Sequence, residues 1–590
     1  MEQLDVIKEI DTGIKFRWIY KKVDIEPLFY VSDKYDIPLK IIEVLIKRGI
    51  KNEEDLKVFI ESPLNKFINP FELKDIEIAI KRIYKALQNG EKICIYGDYD
   101  VDGIAATSIM YIFLKEIGAN VTYHIPNGLS EGYSLNRNII KKLAEEHVNL
   151  IITVDCGINS INEVLLAKSI GIDVIITDHH MPLDKISSIA VAVINPYRND
   201  ESYPFKHLSG VGVVYKILMA LRFYLNKKNY FIKTRKMPNI LKYLDLVTLG
   251  TIGDVAPLIN ENRIIVKHGL VMLSDNIERV GIRELKYILG LYGRKIGVSD
   301  ISFIINPRIN AAARVGKGSK GVRLLTTDDK NEARQLIEDL NAENKSRQHL
   351  EKKVIREIQQ IIEKNQLNRK YKAMVLYSSS WHPSIIGIIA SKIVEQYNRP
   401  VIAISFNGSI GKGSARSQSS FNLYKSIKHL ARLLDDFGGH KNAVGLKVSI
   451  ENVADLQKEF NEYVTSNLSD EELTPTVHID AILEPEDINM KLIDSIKQLE
   501  PFGEGNPEPV FLMRNVKACE TFRFSGRTGD TLKGLIEKNG KIYEIVGSKL
   551  GEYKDTIKNI QKFDIIFNIE KHYWSKEDVL LKVKDLRKIN

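Results

Sequence analysis

The chain has 590 residues, 85 basic against 76 acidic side chains for a net charge of +9, 44% hydrophobic residues and 27% charged ones. This length suggests about three or four folded domains, and the mild positive charge admits a polyanionic partner without requiring one. Three sparse cysteines, Cys94, Cys156 and Cys519, with no CxxC pair, argue against a disulfide scaffold and a zinc–thiolate site.

The N-terminal MEQLDVIKEID lacks the apolar core of a signal peptide, and no apolar run reaches the roughly 18–20 residues that span a bilayer. The expected location is therefore the cytoplasm, with no membrane partner. Residues 36–88 read as helices: IPLKIIEVLIKRGI and IEIAIKRIYKALQNG repeat apolar residues three and four apart, and each carries a glycine where a helix could stop. From residue 92 the period changes. KICIYGDYD, NLIITVD and DVIITDHH are short β-branched runs separated by helical patterns. That alternation predicts a parallel sheet in an α/β domain, whose ligands gather beyond the carboxyl ends of the strands. Each of the three runs ends in acidic or histidine residues.

Residues 328–365 lack glycine and proline and are highly charged, which predicts one long helix bridging two domains, or alternatively two packed helices. A second α/β region follows. AMVLYSSS and RPVIAISF are strand-like around a helical segment, NGSIGKGSARS reads as a Gly-rich turn, and the linker VTSNLSDEELTPT marks a boundary. Short strands at regular spacing beyond it suggest a small OB-like barrel. The expected division is a helical segment 1–78, a catalytic domain 79–325, a connecting helix 326–368, a substrate-binding domain 369–467 and a nucleic-acid-binding barrel 468–590.

GDYDVDG sets Asp98, Asp100 and Asp102 at alternate positions, which face one side if the backbone stays extended. VDCG adds Asp155, TDHH adds Asp178, His179 and His180, and LGTIGDVAPL offers Asp254. So many carboxylates repel one another unless cations sit among them. Carboxylates with imidazole suit Mn²⁺ or Mg²⁺, and five or six ligands suit two ions about 3.5–4 Å apart, as in hydrolytic phosphodiesterases. An EF-hand would need glutamate at the twelfth loop position, where Ile109 stands. A single aspartate at a strand end is more often a helix cap than a ligand, but three strand ends of one sheet carry the same chemistry here.

GDYDVDG, VDCG, TDHH and TIGDVAPL, in this order, resemble the motifs of the DHH phosphoesterase superfamily, and GGHKNAVG resembles its associated C-terminal domain. NPRINAAAR, SSSWHPSIIGIIASK, GSARS and PFGEGNPEPVF narrow the resemblance to the RecJ type, from about Arg48 onward. The resemblance implies a single-stranded-DNA-specific exonuclease of DNA repair and recombination, cutting from the 5′ end by two-metal hydrolysis with Mn²⁺ or Mg²⁺ and releasing 5′-mononucleotides.

It implies Asp98, Asp100, Asp102, Asp155, His179 and Asp254 as metal ligands. It assigns His180 to the scissile phosphate or leaving oxygen, and Asp178 to orienting a histidine. Ser414 and Arg416 lie in the Gly-rich turn, whose backbone amides could hold a phosphate; Arg308 and Arg314 could pair bidentately with phosphate oxygens, with surface or interdomain salt bridging the alternative; Asn310 and His440 complete the candidate substrate contacts. Trp381 and His382 could stack on a base, with core packing the alternative for Trp381. A helicase and a single-strand-binding protein are candidate partners. The sequence departs from the family pattern at Gly128, Ser134 and Ala313, which puts one phosphate contact in question and no metal ligand. The competing readings are a small-substrate phosphodiesterase of the same superfamily, a metal-free replication scaffold and a non-hydrolytic single-strand binder.

Overall fold

The computed structural model describes residues 8–127, 134–182, 189–231, 236–275, 279–314, 318–418, 421–526, 529–558, 560–571 and 579–589, and the side chains of residues 8 and 312–314 are outside that description. The chain divides into two compact units, one of Val58–Arg347 with Pro501–Pro507, the other of Met1–Lys57, Gln348–Glu500 and Glu508–Asn590.

The first unit is built on a five-stranded parallel sheet. Its strands lie side by side in the order Asn120–His124, Lys92–Gly97, Leu150–Val154, Asp173–Thr177, Ala192–Ile194. Both faces are covered, which is why the strands read as continuous apolar runs. Ile93, Ile95, Ile152 and Ile175 pack with Ile80, Ile83, Phe113 and Leu218 on one side. Cys94, Tyr96, Ile151, Val174 and Ile176 pack with Ile140, Leu143, Val164 and Ala167 on the other. Alternate residues of each strand thus enter opposite cores. Three helices matter for the site: Val101–Glu116, Gly210–Lys227 and Leu244–Gly253.

In the second unit, five strands follow the order Asp436–His440, Ala443–Ser449, Ile410–Arg416, Val401–Asn407, Met374–Ser378. The Gly-rich stretch expected as a turn is mostly the central strand of this sheet. Ile410–Arg416 pairs antiparallel with a neighbour on each side, so its ladder amides are committed to strands rather than open to a phosphate. Its glycines let large side chains close in: a Cβ at Gly413 would meet Leu446 Cδ1 at 2.5 Å, and one at Gly411 would meet Ile404 Cγ2 at 2.5 Å. Trp381 is buried in the core of this domain.

The barrel-like sheet runs from Ala481–Ile482 to Arg523–Ser525 through five longer strands. Phe511–Ala518 pairs with Lys562–Lys571 and also with Thr531–Lys538, which links the second strand of the path to the sixth as in an OB-like barrel. The connecting helix is continuous over Lys330–Asn365.

Helices Leu39–Lys47, Glu53–Glu61 and Ile76–Asn89 occupy the segment read as helical. Residues ahead of them form strands instead. Lys8–Thr12 pairs with Arg17–Lys21, which pairs in parallel with Thr476–Ile479. Trp18 is 1% exposed and donates from Nε1 to Asp585 Oδ2 at 2.9 Å. Partners more than 450 residues away fix this hairpin, and local periodicity carries no trace of them.

Candidate metal centre

The sheet delivers its functional groups where the strands end. Asp98 follows Lys92–Gly97, Asp155 follows Leu150–Val154, and Asp178 follows Asp173–Thr177. Asp98, Asp100 and Asp102 do not share a face of extended chain, as their spacing suggested. The backbone turns after Gly97, Asp100 caps the helix Val101–Glu116, and Asp102 lies in its first turn. Asp100 Oδ1 accepts from the amides of Asp102 and Gly103 at 2.9 and 3.1 Å. The capping role leaves this residue able to serve as a ligand too, because a carboxylate has a second oxygen to offer. Asp155 adopts φ 61°, a left-handed conformation that short polar side chains tolerate and that recurs at functional sites.

Asp254 caps the C-terminus of Leu244–Gly253. It comes together with Asp102 and His179, while Asp155 meets His179 and His180, and Asp98 meets Asp100 and Asp155; within each group the potential ligand atoms lie within 4.8 Å of one another. His179 Nε2 stands 3.1 Å from Asp155 Oδ1 and 3.9 Å from Asp102 Oδ2, and its Nδ1 stands 3.7 Å from Asp254 Oδ2. The Nε2–Asp155 approach lacks hydrogen-bond alignment, and buried Asp155 Oδ1 has no hydrogen-bond partner. An orphaned buried carboxylate oxygen is costly and calls for a counter-ion.

The electrostatics agree. Burial, together with the neighbouring carboxylate charges, raises Asp98 to about 8 and Asp102 and Asp254 to about 7, and lifts Asp155 well above its ordinary value. Without a cation, these groups resist ionising together at neutral pH. Burial holds the His179 imidazole below its usual value, which keeps it neutral and able to donate a lone pair. Hard oxygen donors with one or two imidazoles fit Mn²⁺ or Mg²⁺.

Asp178 does different work. Its Oδ1 accepts from the amides of His179 and His180 at 2.8 and 3.0 Å and lies 2.7 Å from His180 Nδ1, and its Oδ2 accepts from the amide of Ile158 at 2.9 Å. Burial alone would raise this carboxyl, but those bonds and the histidine charge bring it below its ordinary value. Burial likewise opposes the His180 imidazolium, yet the bond and charge of Asp178 prevail and lift His180 to about 9.

Several supporting residues went unread in the sequence. The amides of Gly210 and Val211, at the start of a helix capped by Ser209, donate to the two oxygens of Asp102 at 2.6 and 2.9 Å. A Cβ at Gly210 would come within 2.5 Å of Asp155 Oδ1, and one at Gly250 within 2.6 Å of Asp102 Oδ1. Asn195 Nδ2 donates to the His180 carbonyl at 2.8 Å. The run SGVG at 209–212 carried the capping signal; the glycine cradle had none.

Of the implied substrate contacts, Asn310 Oδ1 accepts from the Val101 amide at 2.8 Å. Arg308 Nε donates to Asn341 Oδ1 at 2.7 Å, and its Nη1 donates to the Ile304 carbonyl. The side chains of Arg314 and Ala313, and Gly128 entirely, fall outside the described residues. Ser414, Arg416 and His440 belong to the other unit. There Arg416 Nη1 donates to Ser414 Oγ at 2.8 Å. A Cβ at Gly387, in the first turn of helix Ile386–Tyr397, would meet Arg416 Nη2 at 3.2 Å and Ser414 Oγ at 3.3 Å. His440 ends the strand Asp436–His440 and is exposed.

Three family models match: the DHH family N-terminal domain over residues 92–251, the DHHA1 domain over 370–466 and the RecJ OB domain over 479–585. The single-stranded-DNA-specific exonuclease RecJ of Bacillus subtilis is 34% identical over 577 residues, which cover 97% of this chain and 71% of that protein. The chain belongs to the RecJ family. RecJ of Escherichia coli is 34% identical over 82% of this chain and 85% of its own. The crystal structure of RecJ from Thermus thermophilus in complex with Mn²⁺ superposes with a TM-score of 0.81 at 29% identity, covering 98% of this chain and 80% of that one. The same RecJ with Mg²⁺ gives a TM-score of 0.75. Membership of the RecJ family makes this a metal-dependent enzyme of the DHH phosphoesterase type, and the metals crystallised with its relative are those its ligand set fits. No helix among the described residues is long and apolar enough to cross a membrane.

Proposed function

We propose that this chain hydrolyses single-stranded DNA from the 5′ end, releasing 5′-mononucleotides, with two divalent cations held by Asp98, Asp100, Asp102, Asp155, His179 and Asp254. The observation that carries this reading is the crowding of five carboxylates and an imidazole at one sheet edge, with Asp155 Oδ1 buried and unpartnered. Bound there, Mn²⁺ or Mg²⁺ would supply Lewis-acid activation of water and of the scissile phosphate.

The chain's own residues do the rest. Asp178 fixes the ring of His180 through Nδ1 and, with Asn195 on the carbonyl, its backbone as well. The lift on His180 keeps its proton available for a phosphate oxygen or the departing 3′ oxygen. Cations that neutralise Asp98 and Asp254 would remove part of that lift and bring the imidazole towards the operating pH. Asn310 holds the Val101 amide, and thereby the turn that presents Asp100 and Asp102, so it acts on the substrate site by positioning.

Arg308, Arg314, Ser414, Arg416 and His440 are assigned to the phosphate backbone. The pairing of Arg416 with Ser414 beside the first turn of helix Ile386–Tyr397 is favourable for an anion. The OB-like barrel would bind the strand by stacking and charge. In this reading the enzyme works in the cytoplasm, in DNA repair and recombination, alongside a helicase and a single-strand-binding protein.

The test is release of nucleotides from 5′-labelled and 3′-labelled single strands and duplexes, with Mn²⁺, Mg²⁺ or chelator. Mononucleotides from the 5′ end of single strands alone, abolished by chelator and by Asp155→Asn, are expected. Equal digestion of duplex, or undiminished activity in chelator, defeats the reading.

A further inference from the structure

A cavity of about 790 Å³ lies in the α/β unit, away from the metal centre. Two helices measure the separation. Asp102 stands at the start of Val101–Glu116, whereas Glu116, at its end, pairs with Lys242 on the cavity wall. Asp254 caps the end of Leu244–Gly253, whereas Lys242 precedes its start. At 1.5 Å per residue either path puts the cavity about 20 Å from the carboxylates. Its volume is in the ordinary range for small-ligand sites.

The wall is strongly basic. Among the described residues, Lys242, Arg283, Lys286, Arg294 and Lys295 line it against one carboxylate, Asp275. Lys242 is held by Glu116, and Lys286 donates to the carbonyls of Leu273 and Ser274. Arg294 pairs with Asp300 at 2.5 Å yet keeps half of its side chain exposed. Arg283 has no ion-pair partner among the described residues. Beside this charge stands an aromatic ring. Tyr292 lines the cavity, is 60% exposed, and meets the equally exposed Tyr287 edge-on at 6.2 Å between centroids. Guanidinium groups bind phosphate in paired hydrogen bonds, and an exposed ring stacks on any base.

We propose that this cavity is a second nucleotide-binding site, with Arg283, Arg294 and Lys295 holding the phosphate and Tyr292 stacking on the base. Neither group is shared with the metal centre, so the site can be filled while the sheet edge is engaged.

The test is calorimetric titration of the full-length protein with dTMP in chelator, comparing the wild type with Arg283→Glu/Lys295→Glu and with Tyr292→Ala. The dTMP Kd should rise at least tenfold in the charge variant and at least threefold in Tyr292→Ala, and inorganic phosphate should bind at least tenfold more weakly than dTMP. Asp155→Asn should leave this binding unchanged, which separates failure of this site from failure of the metal-centre reading. Short thymidine oligomers distinguish the source: affinity equal to that of dTMP marks a free mononucleotide, and affinity rising with length marks a passing strand. Wild-type dTMP affinity in both variants, or phosphate bound as tightly as dTMP, overturns the proposal. If the double variant is unfolded by circular dichroism, Tyr292→Ala alone decides.

Discussion

Gly250→Ala tests whether the metal centre depends on a backbone cradle. Gly250 lies inside helix Leu244–Gly253, where alanine would ordinarily stabilise by about 1 kcal/mol. Here the new Cβ would stand 2.6 Å from Asp102 Oδ1 and 2.7 Å from Val211 Cγ1. Non-bonded heavy atoms rest about 3.5 Å apart, so a ligand-bearing carboxylate must yield by nearly 1 Å or the helices must part. Overpacking of that kind costs about 1–3 kcal/mol, which the helix propensity partly offsets. The net loss of fold stability should therefore stay within about 2 kcal/mol.

The displacement of Asp102 should weaken Mn²⁺ binding by about 10–100-fold, the range seen when groups that orient metal ligands are disturbed. Calorimetric titration with Mn²⁺, beside thermal melts in chelator, reads the two effects separately. Gly212→Ala is the control: its Cβ would meet Leu208 Cδ2 at 3.3 Å and Ser209 Oγ at 3.4 Å, with no carboxylate among its near neighbours. Wild-type Mn²⁺ affinity in Gly250→Ala would refute the cradle.

Asp98, Asp102, Asp155 and Asp254 all have folded values above those of an unfolded chain. Without metal, then, the folded state binds more protons than the unfolded one, and this contribution to stability falls as pH rises from about 4 to about 8. The melting temperature gained on adding Mn²⁺ should accordingly grow between about pH 6 and 8; a gain that shrinks over that range contradicts the assignment. His180→Gln should lower kcat by about 10²–10⁴-fold with little change in Mn²⁺ affinity, read in single-turnover assays beside metal titration. Equal losses in both would make His180 a ligand. Glu261→Gln should cost about 3–5 kcal/mol, because Lys216 Nζ, 2.7 Å from Glu261 Oε1 and fully buried, loses its counter-charge. Urea unfolding with a loss below about 1 kcal/mol would exclude that.

The acidic and histidine groups that gather at the sheet edge could be read because each is announced locally: a β-branched run fixes a strand, and the acidic residues at its end fall where parallel sheets gather their ligands. Asp254 follows a helix rather than a strand, yet the apolar run before it still marked the end of a buried element. Geometry was less visible. Alternation suggested a flat row of aspartates, whereas a strand–turn–helix gathers them, because Asp100 serves as the helix cap. The glycines of NGSIGKGSARS match the punctuation of a turn. In the sheet they are gaps into which Leu446 and Ile404 fit.

By itself, the sequence determined which residue types meet at the sheet edge and therefore the class of chemistry, since local runs and spacings set strand ends and donor identity. Only the tertiary structure decided how they are held. The amides of Gly210 and Val211 on Asp102, the Gly250 cradle, the hairpin pinned to Thr476–Ile479 and the basic cavity beside Glu116 all join segments far apart in the chain. Such contacts arise from packing, and no local pattern encodes a neighbour on a distant stretch of chain.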